Sequence, residues 1–293
     1  MTTSATPLSA NSERVSTRDP IRTREVGWSI IALFIGVATG LELLLLKIQR
    51  SAGLGSLLAG PDWKGNLFFY AALLLLAVWG VLFGIGRLRP VDVGLERKKL
   101  LQGILVTASI WLLDQAIGAV SGILTTGPIV DRSWTTNGVA GTLLWAAVMF
   151  LGAALYEEIA FRGFLFPQLY LKFRGSDRVR LWTAILASQF LFAIGHIPAH
   201  IIIRHMSGRG LWTTVVVQGL IGVVLVLLYL RTRNLWITVG IHGLVNAPTP
   251  VFVGTVGSAP FLVVLLIGWP WIVRRSQQRG LARVETERSL LNK

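Results

Sequence analysis

Cysteine is absent from the 293 residues. Its absence excludes disulfides, thiolate nucleophiles and Cys-ligated zinc, and leaves the redox compartment open. Charge is scarce as well. Only 14% of residues are Asp, Glu, Lys or Arg, whereas a soluble domain carries roughly a quarter. The little charge present is lopsided, with a formal net of +14. It forms no basic face or basic segment, which argues against a nucleic-acid partner. A soluble insertion, a low-complexity tract and an internal repeat are also missing.

Long apolar runs take the place of charge. Hydrophobic residues make up 53% of the chain, and the mean hydropathy is +0.63. Runs of about 18 or more apolar residues with few charges match the ~30 Å hydrocarbon core of a bilayer. The first extends from Val26 to Leu46. It is too long for a signal-peptide core and reads as a retained helix. Further runs lie at about 66–86, 100–124, 137–160, 181–203, 211–230, 235–253 and 259–273. Pro248, Pro250, Gly254, Gly257 and Pro260 interrupt the last two. The expected fold is an all-α polytopic membrane protein, a bundle of about eight transmembrane helices over 26–275. A basic tail at 1–25, rich in Ser, Thr and Arg, is expected to be disordered. Residues 276–293 read as a second tail.

The basic residues sit in the gaps between runs. With Arg162 set aside, alternate gaps and both tails hold 21 Lys and Arg, and the intervening gaps hold 6. The positive-inside rule places both termini in the cytoplasm. An odd number of spans would scramble this alternation.

Ionisable groups inside spans are costly and mark function. Here they are Glu42, Asp114, Glu157, Glu158, Arg162, His196 and His242. Adjacent carboxylates in an apolar run stand out. Glu158 and Arg162 are four apart, so they share a helix face and can pair. Glu157 points elsewhere and has no local partner, which suits a general base. His196 follows Phe192 by four residues, and Pro198 just beyond it is expected to kink or end the helix. His242 and Asn246 are again four apart and face one way. Two donors on one face of a low-dielectric site suit a developing oxyanion. His196 and His200 have zinc-helix spacing, but no Glu lies between them. His200 and His205 are expected in a loop. Glu42 and Asp114 read as interior helix contacts, while Gln218, Gly219 and Gly222 suit close helix packing.

Taken together, Glu157-Glu158-x-x-x-Arg162, Phe192-x-x-x-His196 and His242-x-x-x-Asn246 resemble the motif set of the CPBP family. These are the CAAX prenyl proteases and bacteriocin-processing enzymes, also called the ABI family of intramembrane peptidases. The stretch from Gln218-Gly219 through Tyr229, Thr232 and Asn234-Leu235-Trp236 to His242 is similar as well. The likeness covers about residues 140–250, within a core at about 137–253. It implies an eight-helix core with a cavity open to the cytoplasm. It further implies that Glu157 and His196 activate a water, that His242 and Asn246 form the oxyanion site, and that Glu158 and Arg162 are supporting residues.

The expected activity is therefore intramembrane endopeptidase chemistry on a hydrophobic or lipidated peptide in contact with membrane lipid. No cofactor is required by this reading. A zinc variant held by Glu157, His196 and His242 is the alternative, since two His and one Glu leave a position open for water. Two other functions compete. One is a non-catalytic family member acting as an immunity or scaffold protein by peptide binding. The other is a proton-coupled transporter, for which repeated halves would be expected. The expected location is a membrane, the cell membrane in a bacterium.

Overall fold

The computed structural model describes residues 23–50, 62–125, 127 and 129–272. The sequence-predicted tails therefore lie largely outside the described residues. The described chain is helical, with one isolated antiparallel bridge, Val130 to Phe252.

Helix α1 spans Trp28–Arg50. Helix α2, Asp62–Leu73, continues as wide π-helical turns over Leu74–Ile85. The Gly86 amide bonds Val81 O at 2.7 Å, five residues back. After a short turn at Pro90–Val93, α3 covers Arg97–Thr125. A single turn, α4, lies at Ser133–Thr136. Helix α5 is the continuous rod Gly138–Lys172, which widens into π turns at Met149–Ala154 and Glu158–Leu165. Then come α6 at Asp177–Gly195, α7 at Ile197–Ile202 and α8 at Gly208–Thr232. Helix α9 is Leu235–Asn246, and α10 is Ala259–Ile272.

Each of the eight apolar runs contains a helix, the seventh only as far as Asn246. Six helical rods are long and apolar enough to cross a membrane, with α6 and α7 counting as one. Helices α9 and α10 are shorter apolar helices among the described residues, and α10 runs to the last of them. Helix α9 stops at Asn246 because Pro248 cannot continue it.

Loop contacts nevertheless keep the alternation. At one end, Lys172 pairs with Glu25 at 2.6 Å, Gln168 donates to Arg24 O at 2.8 Å, and Arg24 donates to Gly86 O at 2.5 Å. At that end too, Lys99 Nζ donates to Arg233 O and Asn234 donates to Lys99 O at 3.0 Å. At the other end, Trp134 Nε1 donates to Pro250 O at 2.7 Å and Asp131 N to Val251 O at 2.9 Å. Helix α10 then turns back, and Arg231 reaches Leu266 O at 3.2 Å.

The polarity of the bundle is that of a membrane protein. Leu75, Trp79, Leu101, Leu105, Leu151 and Phe190 are exposed along the outside. Glu158, Arg162, Gln168, Ser188, Asn234 and Thr238 are fully buried. In lipid, polar groups must find partners inside the protein. Glycines let the helices close on one another. A Cβ on Gly103 would run into Trp236, one on Gly240 into Thr107, and one on Gly243 would sit 2.5 Å from the Phe150 ring. These contacts seat α9 between α3 and α5.

Candidate active site

The carboxylates of α5 sit where its α-helical turn gives way to π turns, with Glu157 closing one segment and Glu158 opening the next. Insertions of this kind inside helices occur often at functional sites. Glu158 and Arg162 pair at 3.1 Å, and both side chains are fully buried. Arg162 Nη2 also donates to Gly222 O of α8 at 3.2 Å, and its guanidinium lies 4.6 Å above the Phe192 ring. The expected pairing is present, and it ties α5 to α6 and α8.

Helix α9 brings His242 against both carboxylates. His242 Nδ1 lies 2.8 Å from Glu158 Oε1, and its Nε2 lies 3.5 Å from Glu157 Oε2. Glu158 is held as a carboxylate by Arg162, so Nδ1–H is the donor. The end of α6 brings His196. Its Nδ1 is 2.8 Å from Phe192 O. A carbonyl only accepts, so Nδ1 carries the proton, and in that neutral tautomer Nε2 is the lone-pair nitrogen. That Nε2 faces Glu157 Oε2 at 3.9 Å. The separation is too long for a direct hydrogen bond. Phe192 packs edge-on to His196 at 4.7 Å and to His242 at 6.3 Å.

Glu157 and His196 line a cavity of about 290 Å³ bounded by α1, α2, α5, α6 and α7. Its walls are mostly apolar: Phe34, Ala38, Phe69, Leu165 and Leu191 contribute, along with Tyr70 and Tyr156. Glu157 Oε2 is buried without a hydrogen-bond partner. A carboxylate so placed, with an imidazole lone pair opposite, suits holding and deprotonating a water.

Other expectations fare differently. Asn246 stands one turn beyond His242, partly exposed, and is not part of the cavity wall. His200 is not a loop residue: it is buried on α7, and its Nε2 lies 2.8 Å from Gln218 Oε1 of α8. Pro198, which sits in the first turn of α7, explains this, since it ends one helix and starts another. The His196 and His200 rings stack 6.2 Å apart. His205 is exposed with φ 52°. Asp114 is structural, accepting from Val256 N at 2.9 Å and Gly257 N at 3.0 Å. Gly222 packs closely, as expected: a Cβ there would lie 2.6 Å from Gln189 Oε1.

Glu42, which reads as an interior helix contact, lines the same cavity as Glu157. The available signal was its mere presence as an acid in an otherwise apolar span. Among the described residues, no group of three or more His, Asp or Glu is gathered to hold a metal ion.

Residues 139–248 match a protein-family model described as type II CAAX prenyl endopeptidase Rce1-like. No curated protein and no solved structure matches the chain. The matched segment contains Glu157, Glu158, Arg162, Phe192, His196, His242 and Asn246, whereas Glu42 precedes it. Through residues 139–248, this multi-pass membrane chain is similar to the type II CAAX prenyl endopeptidases of the Rce1-like family, a likeness that agrees with the resemblance to the CPBP intramembrane peptidases.

Proposed function

We propose that the chain is a glutamate-dependent intramembrane endopeptidase in which Glu157 and His196 activate the attacking water. The observation that carries this is Glu157 Oε2. It is buried, lacks a hydrogen bond, and lies 3.9 Å from His196 Nε2 at the wall of an apolar cavity. A water between the two groups gives one hydrogen to each, which leaves its oxygen lone pairs free for a peptide carbonyl.

Glu157 takes a proton from this water, and the hydroxide adds to the carbonyl carbon. The tetrahedral intermediate collapses with cleavage of the C–N bond, and Glu157 returns the proton to the leaving amine. General-base help of this sort is worth about 10²–10⁴-fold in rate. His242 is the oxyanion donor when its Nε2 carries a proton, with Asn246 one turn beyond as the second donor. Glu158 fixes His242 from behind, Arg162 fixes Glu158, and Phe192 fixes His196. The apolar cavity wall fits a hydrophobic or lipidated peptide entering beside membrane lipid.

No cofactor is needed by this mechanism. Zinc held by Glu157, His196 and His242 is the alternative, and it predicts loss of activity with a chelator and recovery with added zinc. Both termini are assigned to the cytoplasm from the Lys and Arg distribution, and the cavity is assigned an opening on that side. A reporter fused after Lys293 and read on the opposite side would overturn the assignment.

The test is hydrolysis of hydrophobic and prenylated peptides by the purified, detergent-solubilised protein, comparing wild type with Glu157→Gln and His196→Ala. Cleavage by wild type that both folded variants lose supports the mechanism. Equal cleavage by all three overturns it. A folded wild type that binds the peptides without cutting them favours the immunity or scaffold reading.

A further inference from the structure

We propose that Glu42 is a specificity residue that selects a Lys or Arg side chain within a few residues of the bond to be cut. This rests on the peptidase reading for the location of the bond. Glu42 lies on α1, outside the matched segment, and shares one cavity wall with Glu157. The other carboxyl group on that wall is Glu157. Among the described residues it takes part in no ion pair. No Lys or Arg among the described residues lines the cavity.

Two acids facing one apolar cavity repel each other strongly, because low dielectric magnifies like charge. A carboxylate inside a span is retained for a partner or a function. Glu157 provides the second observation: the residue is nine-tenths buried, its Oε2 is unpartnered, and it lines the cavity. With the acid at Glu157 engaged in the reaction, the cation complementary to Glu42 comes with the substrate. A cavity of about 290 Å³ is about 8 Å across if round, and an extended peptide advances about 3.3 Å per residue. The selected cation therefore lies within about three residues of the scissile bond. The apolar remainder of the wall takes the flanking side chains.

The experiment uses the full chain in lipid nanodiscs and two fluorescein-labelled hexapeptides of Leu, Phe and Ala. One carries a central Lys and the other carries norleucine in its place. Fluorescence anisotropy reads the affinity of each. Wild type is expected to bind the Lys peptide about 10- to 100-fold more tightly, the range of a charge-assisted hydrogen bond. Glu42→Gln is expected to erase that preference while keeping norleucine binding. Glu42→Asp, which keeps the charge, is expected to retain part of it and guards against a folding defect in the Gln variant. Equal affinity of wild type for both peptides, binding of neither, or a Lys preference that survives Glu42→Gln overturns the proposal. Cleavage assays on Glu157→Gln separate the two readings. A Glu42-dependent Lys preference without any cleavage retains this inference and sinks the peptidase. Cleavage that needs Glu157 but ignores Lys does the reverse.

Discussion

Replacing Arg162 with Met tests the support beneath the site. Arg162 and Glu158 are both fully buried, with Nη1 3.1 Å from Oε1. Met fills much of the same volume but removes the cation paired with the Glu158 charge. It also gives up the bond to Gly222 O and the contact over Phe192. Breaking one side of a buried pair costs about 3–5 kcal/mol, because the remaining charge has no solvent. Glu158→Gln leaves the guanidinium stranded and is expected to cost a similar amount. The double variant strands no charge, so its cost is expected to fall short of the sum by about 2–3 kcal/mol. The 11 Trp residues allow unfolding in detergent to be followed by intrinsic fluorescence in a denaturant series. Single costs that simply add in the double variant, to within about 0.5 kcal/mol, would refute the coupling. The Phe192–His196 geometry depends on the same network, so both single variants are also expected to lose peptidase activity.

Gly222→Ala is expected to cost about 1–3 kcal/mol and to lower activity, since its Cβ would sit 2.6 Å from Gln189 Oε1 and 3.0 Å from Phe192 Cδ1; wild-type melting and turnover would contradict this. Asn234 is fully buried, caps α9 at Trp236 N and donates to Lys99 O and Gln102 Oε1. Asn234→Ala is expected to lose about 1–2 kcal/mol, read in the same fluorescence unfolding experiment. Asp114→Ala removes the acceptor of the Val256 and Gly257 amides. Hydrogen exchange at those amides is expected to speed up at least tenfold, while exchange within α5 stays unchanged. Glu157→Gln is expected to slow peptide cleavage by about 10²–10⁴-fold with no loss of folding, measured by product formation under single-turnover conditions.

Much of the site was legible because its elements are local. Glu158 and Arg162 pair across one turn, and the Phe192 carbonyl meets the His196 ring across another. Spacing of four residues carries that information. His200 was misplaced because its role depends on α7 starting anew after Pro198 and on Gln218 arriving from α8. That Glu42 shares a cavity wall with Glu157 was hidden for a similar reason, because Glu157 is more than a hundred residues away in the chain.

The sequence by itself determined the membrane class, the apolar runs, the separation of basic gaps and the short list of ionisable side chains inside the runs. Burial and charge scarcity need no partner helix to be read. The depth at which Glu157 meets His196 and His242, and the presence of a second acid on the cavity wall, were decided only by tertiary structure. These depend on how closely helices approach one another. That approach is set by contacts such as Gly103 against Trp236 and Gly222 against Gln189, between residues that no local spacing connects.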